Sequence, residues 1–212
     1  YNKEIESSPQ WGVNEKKFKK FDNKLMRKKL GLKGIVIGYF GRITESKGVM
    51  TVFEAFLKLP SKYSLLFIGS GDSLSELQSR AKKLKIEDRV KFIPEFIPYF
   101  ELPGYMNVID IYLQPSITQL KWKEQFGHGI IEAMACEVPV IGSDSGAIPE
   151  VIGQAGITFK ENDPNELKKA ILSLEDLKLR NKIISLGKKK VLDEYSLEKV
   201  SRKLYEIISN VS

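Results

Sequence analysis

Five short apolar runs, separated by helix-like segments, constrain this chain more than any other feature. Residues 35–40, 64–68, 90–93, 109–113 and 138–141 are rich in β-branched and aromatic side chains. Apolar runs of four to six residues mark buried strands. Most are separated by segments that read as helices, at 49–59, 73–84, 100–107 and 129–136. Strand and helix in alternation build βαβ units, and right-handed crossovers put helices on both faces of a parallel sheet. The expectation is an α/β chain with a Rossmann-like parallel sheet, helices on both faces, and further helices at the C-terminal end.

The two ends differ from this body. Residues 1–32 are polar and lysine-rich and read as a lead-in segment with one short helix at about 15–29; the sheet-bearing body runs over 33–195, and 196–212 is a terminal helix. Two or three helices are expected in the tail. Asp163 before Pro164 is an N-cap followed by proline at the first helical position, and Leu167, Ile171 and Leu174 follow. Leu197, Val200, Leu204 and Ile207 fall on one face of the last helix. The formal charge is +7. Residues 1–30 hold nine Lys/Arg against four Asp/Glu, 175–212 hold nine against six, and 31–174 hold 16 against 17, so the excess sits at the ends. A nucleic-acid binder carries its basic stripe on a recognition surface, and no such motif is present, so nucleic acid is not expected as a partner. The basic ends read either as a solvated lysine surface or as a face for anionic lipid.

Cys136 and His128 are the single cysteine and histidine. That excludes an internal disulfide, a cysteine-cluster metal site and a two-histidine zinc motif, and no metal is expected. No uninterrupted apolar run approaches the ~18 residues of a membrane span. Residues 1–10 lack the apolar stretch of a signal peptide, so a cytoplasmic setting is expected.

In an open α/β sheet, ligands bind beyond the carboxyl ends of the strands. The loop after the first run is Gly41-Arg42-Ile43-Thr44-Glu45-Ser46-Lys47-Gly48, and the loop after the second is Gly69-Ser70-Gly71-Asp72. Neither is a P-loop or a complete dinucleotide fingerprint. Arg42 offers a bidentate fork and Lys47 a mobile point charge, a pair that matches a diphosphate or else two solvated loop cations. Further on, Glu124 precedes a glycine-rich helix start, Phe126-Gly127-His128-Gly129, and Glu132 follows it by eight residues from Glu124. Free amides at such a start suit an anion. A glutamate beside it accepts from sugar hydroxyls, or is an ordinary acidic residue of a first turn.

The order of these segments resembles the nucleotide-sugar-binding, C-terminal half of a GT-B glycosyltransferase of family 4, the retaining group 1 transferases. The likeness rests on Gly-Arg-x4-Lys-Gly at 41–48, Pro115-Ser116, Glu-x7-Glu at 124–132 continuing into Ala133-Met134-Ala135, then 138–144 and 146–152. Gly12-Val13-Asn14 is similar to the Asn-Gly-Val-Asp that opens the family's second domain. The resemblance implies that Arg42 and Lys47 hold the diphosphate with the amides of Phe126, Gly127, His128 and Gly129. It implies that Glu124 contacts the donor sugar, Glu132 holds the ribose, and Gly41 allows close approach. The base would lie near Phe96. Trp11 and Asn14 depart from the family pattern in the linker, and His128 stands where an apolar residue is common.

The implied activity is metal-independent hexosyl transfer from a nucleoside diphosphate sugar, UDP- or GDP-linked, with no further cofactor, to a glycan or lipid-linked saccharide. It belongs to polysaccharide biosynthesis. A preceding GT-B domain would supply the acceptor site, and peripheral contact with the inner membrane surface is expected. A non-catalytic nucleotide-sugar-binding module and half of a sugar-nucleotide 2-epimerase are the other readings.

Overall fold

In a computed structural model describing residues 11–209, every one of the five apolar runs supplies a strand. The elements in chain order are α1 (Lys24–Lys29), β1 (Ile35–Phe40), α2 (Val49–Leu57), β2 (Tyr63–Ile68), α3 (Leu74–Lys83), β3 (Val90–Ile93), α4 (Leu102–Met106) and β4 (Ile111–Gln114). There follow α5 (His128–Ala135), β5 (Val140–Ser143), α6 (Ile148–Ile152), β6 (Gly156–Phe159), α7 (Pro164–Ser173), α8 (Leu177–Lys190) and α9 (Leu197–Ser209). All neighbouring strands pair in parallel, in the order β3-β2-β1-β4-β5-β6. This is the doubly wound Rossmann order, whose direction reverses between β1 and β4.

Strand periodicity divides the core. Val36, Leu66, Ile68, Tyr112 and Val140 face one layer with α4, α5 and α6. Ile37, Tyr39, Leu65, Phe67, Leu113 and Ile141 face the other, with α2, α3 and α7. Strands β1, β2, β4 and β5 therefore bury both of their faces, while the edge strands β3 and β6 are partly exposed.

Four details depart from the sequence reading. A sixth strand, β6, and the short helix α6 were not expected. Strand β6 is an edge strand with two large apolar residues, Ile157 and Phe159, too short a run to stand out. The lead-in helix spans only Lys24–Lys29 rather than about 15–29. Before it, the Asn14 side chain accepts from the Lys16 and Lys17 amides, Phe18 is fully buried, and Asn107 accepts from the Phe21 amide at 2.9 Å while donating to the Lys19 carbonyl. These partners draw the backbone across α4 instead of letting it coil. The last helix buries Val200 alone, while Leu197 and Leu204 are exposed.

The tail otherwise follows its signals. Three helices form, and Asp163 caps α7 by accepting from the Asn165 and Glu166 amides. The lead-in segment is anchored where Val13 bridges to Ser196, so residues before β1 and before α9 meet. Residues 1–10 of the lead-in and 210–212 of the tail, including the stretch read for a signal peptide, lie outside the described residues. Among the described residues no helix is long and apolar enough to cross a membrane.

Candidate functional site

The reversal of strand order leaves a crevice beyond the carboxyl ends of β1 and β4, and a cavity of about 610 Å³ opens there. Every residue singled out from the sequence lines it: Gly41, Arg42, Lys47, Phe96, Glu124, the 126–129 helix start and Glu132. These come from the segments that follow β1, β3 and β4. The sheet brings them together because each follows a strand end.

The first stretch leaves β1. Tyr39 is buried, and its hydroxyl donates to the Arg42 carbonyl at 2.6 Å, which fixes the turn carrying Arg42. The Arg42 side chain is exposed, and among the described residues it has no ion-pair partner. Lys47 precedes Gly48, whose φ is +69° and whose missing Cβ would lie 1.8 Å from the Pro115 carbonyl oxygen. Only glycine allows both the left-handed conformation and that approach. The turn therefore docks on the strap after β4, tied also by the Ile117 amide donating to the Ser46 carbonyl.

That docking sets Lys47 against Glu124 at 2.8 Å, with both side chains largely buried. The same carboxylate oxygen accepts from the Ser116 hydroxyl at 2.7 Å and from the Gln114 amide at 3.1 Å. Gln114 is held in turn by the buried Tyr112 hydroxyl at 3.0 Å. Burial pushes the Glu124 carboxyl up, but the Lys47 and Ser116 donors, the Lys47 charge and Gln114 outweigh it and hold it below its ordinary value. Trp122 lies under the Lys47 ammonium, 4.1 Å from ring centroid to nitrogen. The sequence reading missed Gln114, Ser116 and Trp122 as site members. Gln114 and Ser116 flank Pro115 at the end of β4, and a buried polar pair closing an apolar strand was the signal for them.

The third stretch is the start of α5. Gly127 caps it with φ +82°, and His128 and Gly129 fall in the first turn, where amides lack intrahelical acceptors. Phe126 lies before the cap. Gly129 has a steric role as well, since a Cβ there would sit 1.9 Å from the Tyr112 hydroxyl. The His128 ring is exposed and packs edge-on against Trp11, 4.6 Å between centroids, which places the lead-in segment at the cavity rim. Burial lowers the His128 pKa while the Glu124 charge opposes the change. Glu132 follows His128 by four residues and so shares its face. Burial raises the Glu132 carboxyl to about 7. Phe96, in the segment after β3, is 89% exposed at the far side of the cavity.

The arrangement combines two cations, a set of helix amides and two carboxyl groups whose pKa values move in opposite directions. One carboxylate oxygen of Glu124 accepts three hydrogen bonds; Glu132 is half-buried and has no ion-pair partner among the described residues. Comparisons with known proteins place this geometry. The profile described as "Glycosyl transferases group 1" matches residues 22–190. The chain is 30% identical over 206 residues to the N-acetyl-alpha-D-glucosaminyl L-malate synthase of Bacillus anthracis, covering 94% of this chain and 52% of that protein. The C-terminal domain of a glycosyl transferase group 1 family protein (LpcC) from Francisella tularensis superposes with TM-score 0.76 and 28% identity, over 88% of this chain and all of that one. HepE from Anabaena, in complex with UDP-glucose, shares the fold at TM-score 0.83 and 24% identity, over 94% of this chain and 56% of that one. The chain spans about half the length of the curated relatives it matches.

Proposed function

Since the chain belongs to the group 1 glycosyl transferases, we propose that its crevice is the donor site of a retaining, family 4 hexosyltransferase of the GT-B type. The donor is a nucleoside diphosphate sugar, UDP- or GDP-linked; HepE's bound UDP-glucose is of this class. One observation carries the reading. Arg42, Lys47, the His128 and Gly129 amides, Glu124 and Glu132 converge on one cavity at the switch point of the sheet.

In this reading the diphosphate lies against the start of α5, between Arg42 and Lys47. As the sugar–phosphate bond breaks, negative charge grows on the leaving diphosphate. Arg42 and the amides face the cavity, and Lys47 joins them by sharing or leaving Glu124, so the charge is neutralised by the chain's own groups rather than by a metal ion. Glu124 accepts a sugar hydroxyl while its own position is fixed by Ser116 and Gln114. It orients the sugar and does not attack it. Glu132 accepts the ribose hydroxyls, and the base packs against the segment at Phe96. Residues 1–32 form the linker from a preceding domain, 33–195 the donor domain, and 196–212 the closing helix. The preceding domain supplies the acceptor, a glycan or lipid-linked saccharide, in a cytoplasmic setting.

The division of labour between the glutamates tests this. Glu132→Gln is expected to weaken binding of the free nucleoside diphosphate and of the nucleotide sugar alike. Glu124→Gln is expected to weaken the nucleotide sugar more than the diphosphate. Identical effects of the two substitutions on both ligands would remove the assignment.

A further inference from the structure

Between residues 16 and 29, eight of the fourteen residues are Lys or Arg and one, Asp22, is acidic. That local excess equals the chain's whole formal charge of +7. Arg27 is turned onto Asp110 at 2.8 Å, whereas the lysines of this stretch are all exposed. They are not on a loose strand of chain. Phe18 is fully buried beneath them, and Asn107 bonds the backbone on both sides of Lys20. The fold therefore presents the charge as a fixed surface.

Apolar side chains stand among these cations. Phe21 is 40% exposed, Leu25 85%, and Phe100, which lines one groove with Phe21 and Lys17, is 71% exposed. The acids on this face are few: Asp22 pairs with Lys24, Glu101 stands in the same groove, and Glu95 joins it in the adjoining groove of Leu25 and Lys29. Lysines that ring exposed apolar side chains match the boundary of a bilayer, where the apolar groups enter the acyl region and the ammoniums meet phosphate.

We infer that the face formed by residues 16–29 and Phe100 docks on a bilayer surface rich in anionic lipid. A nucleic acid fits it less well. The exposed cations are lysines without the guanidinium fork, and Leu25 offers no stacking face. Glu95 lines both the cavity and the groove that holds Leu25 and Lys29, so the docking face borders the cavity rim. The inference does not depend on the donor reading, because it concerns a different surface.

Co-sedimentation of the 212-residue chain with vesicles tests it. Vesicles of phosphatidylcholine mixed with phosphatidylglycerol should retain the chain, pure phosphatidylcholine should not, and added salt should release it. Changing Lys17, Lys20 and Lys28 together to Gln should weaken retention roughly 10- to 100-fold. The same loss of charge on α3 and the turn after it, Lys82, Lys83 and Lys85 to Gln, should leave retention nearly unchanged. Circular dichroism melting confirms that both triple variants fold. Equal retention by neutral vesicles, equal effects of the two triples, or preferential binding of an oligonucleotide would each overturn the proposal.

Discussion

Glu132 shows how much of the site rests on single side chains. Burial alone raises its carboxyl to about 7 from the ordinary 4.5. The folded chain thus keeps a proton between pH 4.5 and 7 that the unfolded chain has released. Stability must then fall as pH rises through that window and level off above it. A shift of this size corresponds to a cost on the order of 3 kcal/mol at pH 8. Glu132→Gln removes the titrating group, so urea denaturation should find the variant more stable at pH 8 and indistinguishable at pH 4. The same variant should bind nucleoside diphosphate less well, a trade of function for stability. Residues of this kind were legible in the sequence: Arg42, Lys47, Glu124 and Glu132 all line the cavity. What sequence could not show is that Lys47 and Glu124 pair, because they are 77 positions apart and meet only through the strand order. Lys47 therefore has to leave, or share, Glu124 when an anion enters.

At the scale of elements, the loops after β1 and β4 act as one unit. Gly48 is the hinge of that unit, with its positive φ and its contact on the Pro115 carbonyl. Gly48→Ala places a methyl group against backbone and forces the left-handed conformation, at a cost of roughly 1–3 kcal/mol. Thermal melting should show that loss, and nucleoside diphosphate affinity should drop with it as Lys47 leaves Glu124. The five apolar runs were readable because each holds at least three large apolar residues, and β1, β2, β4 and β5 bury both faces. The edge strand β6 and the helix α6 were not, since each carries its fold signal in four or five residues. The lead-in helix was overcalled for a different reason. Lysine-rich sequence has good helix propensity, but burial of Phe18 and the two bonds to Asn107 favour another path. On α9, Leu204 and Tyr205 are 37% and 72% exposed, so polar substitution at Tyr205 should change the stability of this chain by less than about 0.5 kcal/mol. A melting shift beyond that would mean the face is covered by another copy.

At the scale of the whole molecule, the chain spans about half the length of the curated relatives it matches, and in the donor-site reading it supplies one wall of a cleft. Transfer needs donor and acceptor fixed together away from water. The 212-residue chain is accordingly expected to bind a nucleotide sugar without transferring it, and an assay with radiolabelled donor should give no turnover above spontaneous hydrolysis. Its doubly wound sheet was legible from the alternation of runs, and the switch point followed once the strand order placed β1 beside β4. The central claim is that this switch point holds a diphosphate between Arg42, Lys47 and the start of α5. Calorimetric titration of the wild-type chain and of Arg42→Ala with UDP and GDP tests it most directly. The account predicts saturable one-to-one binding of at least one of the two, weakened in the variant by about 1.5–3 kcal/mol, the range for a hydrogen bond to a charged group, with the fold intact. Absence of binding, or an affinity unchanged by the substitution, would contradict it.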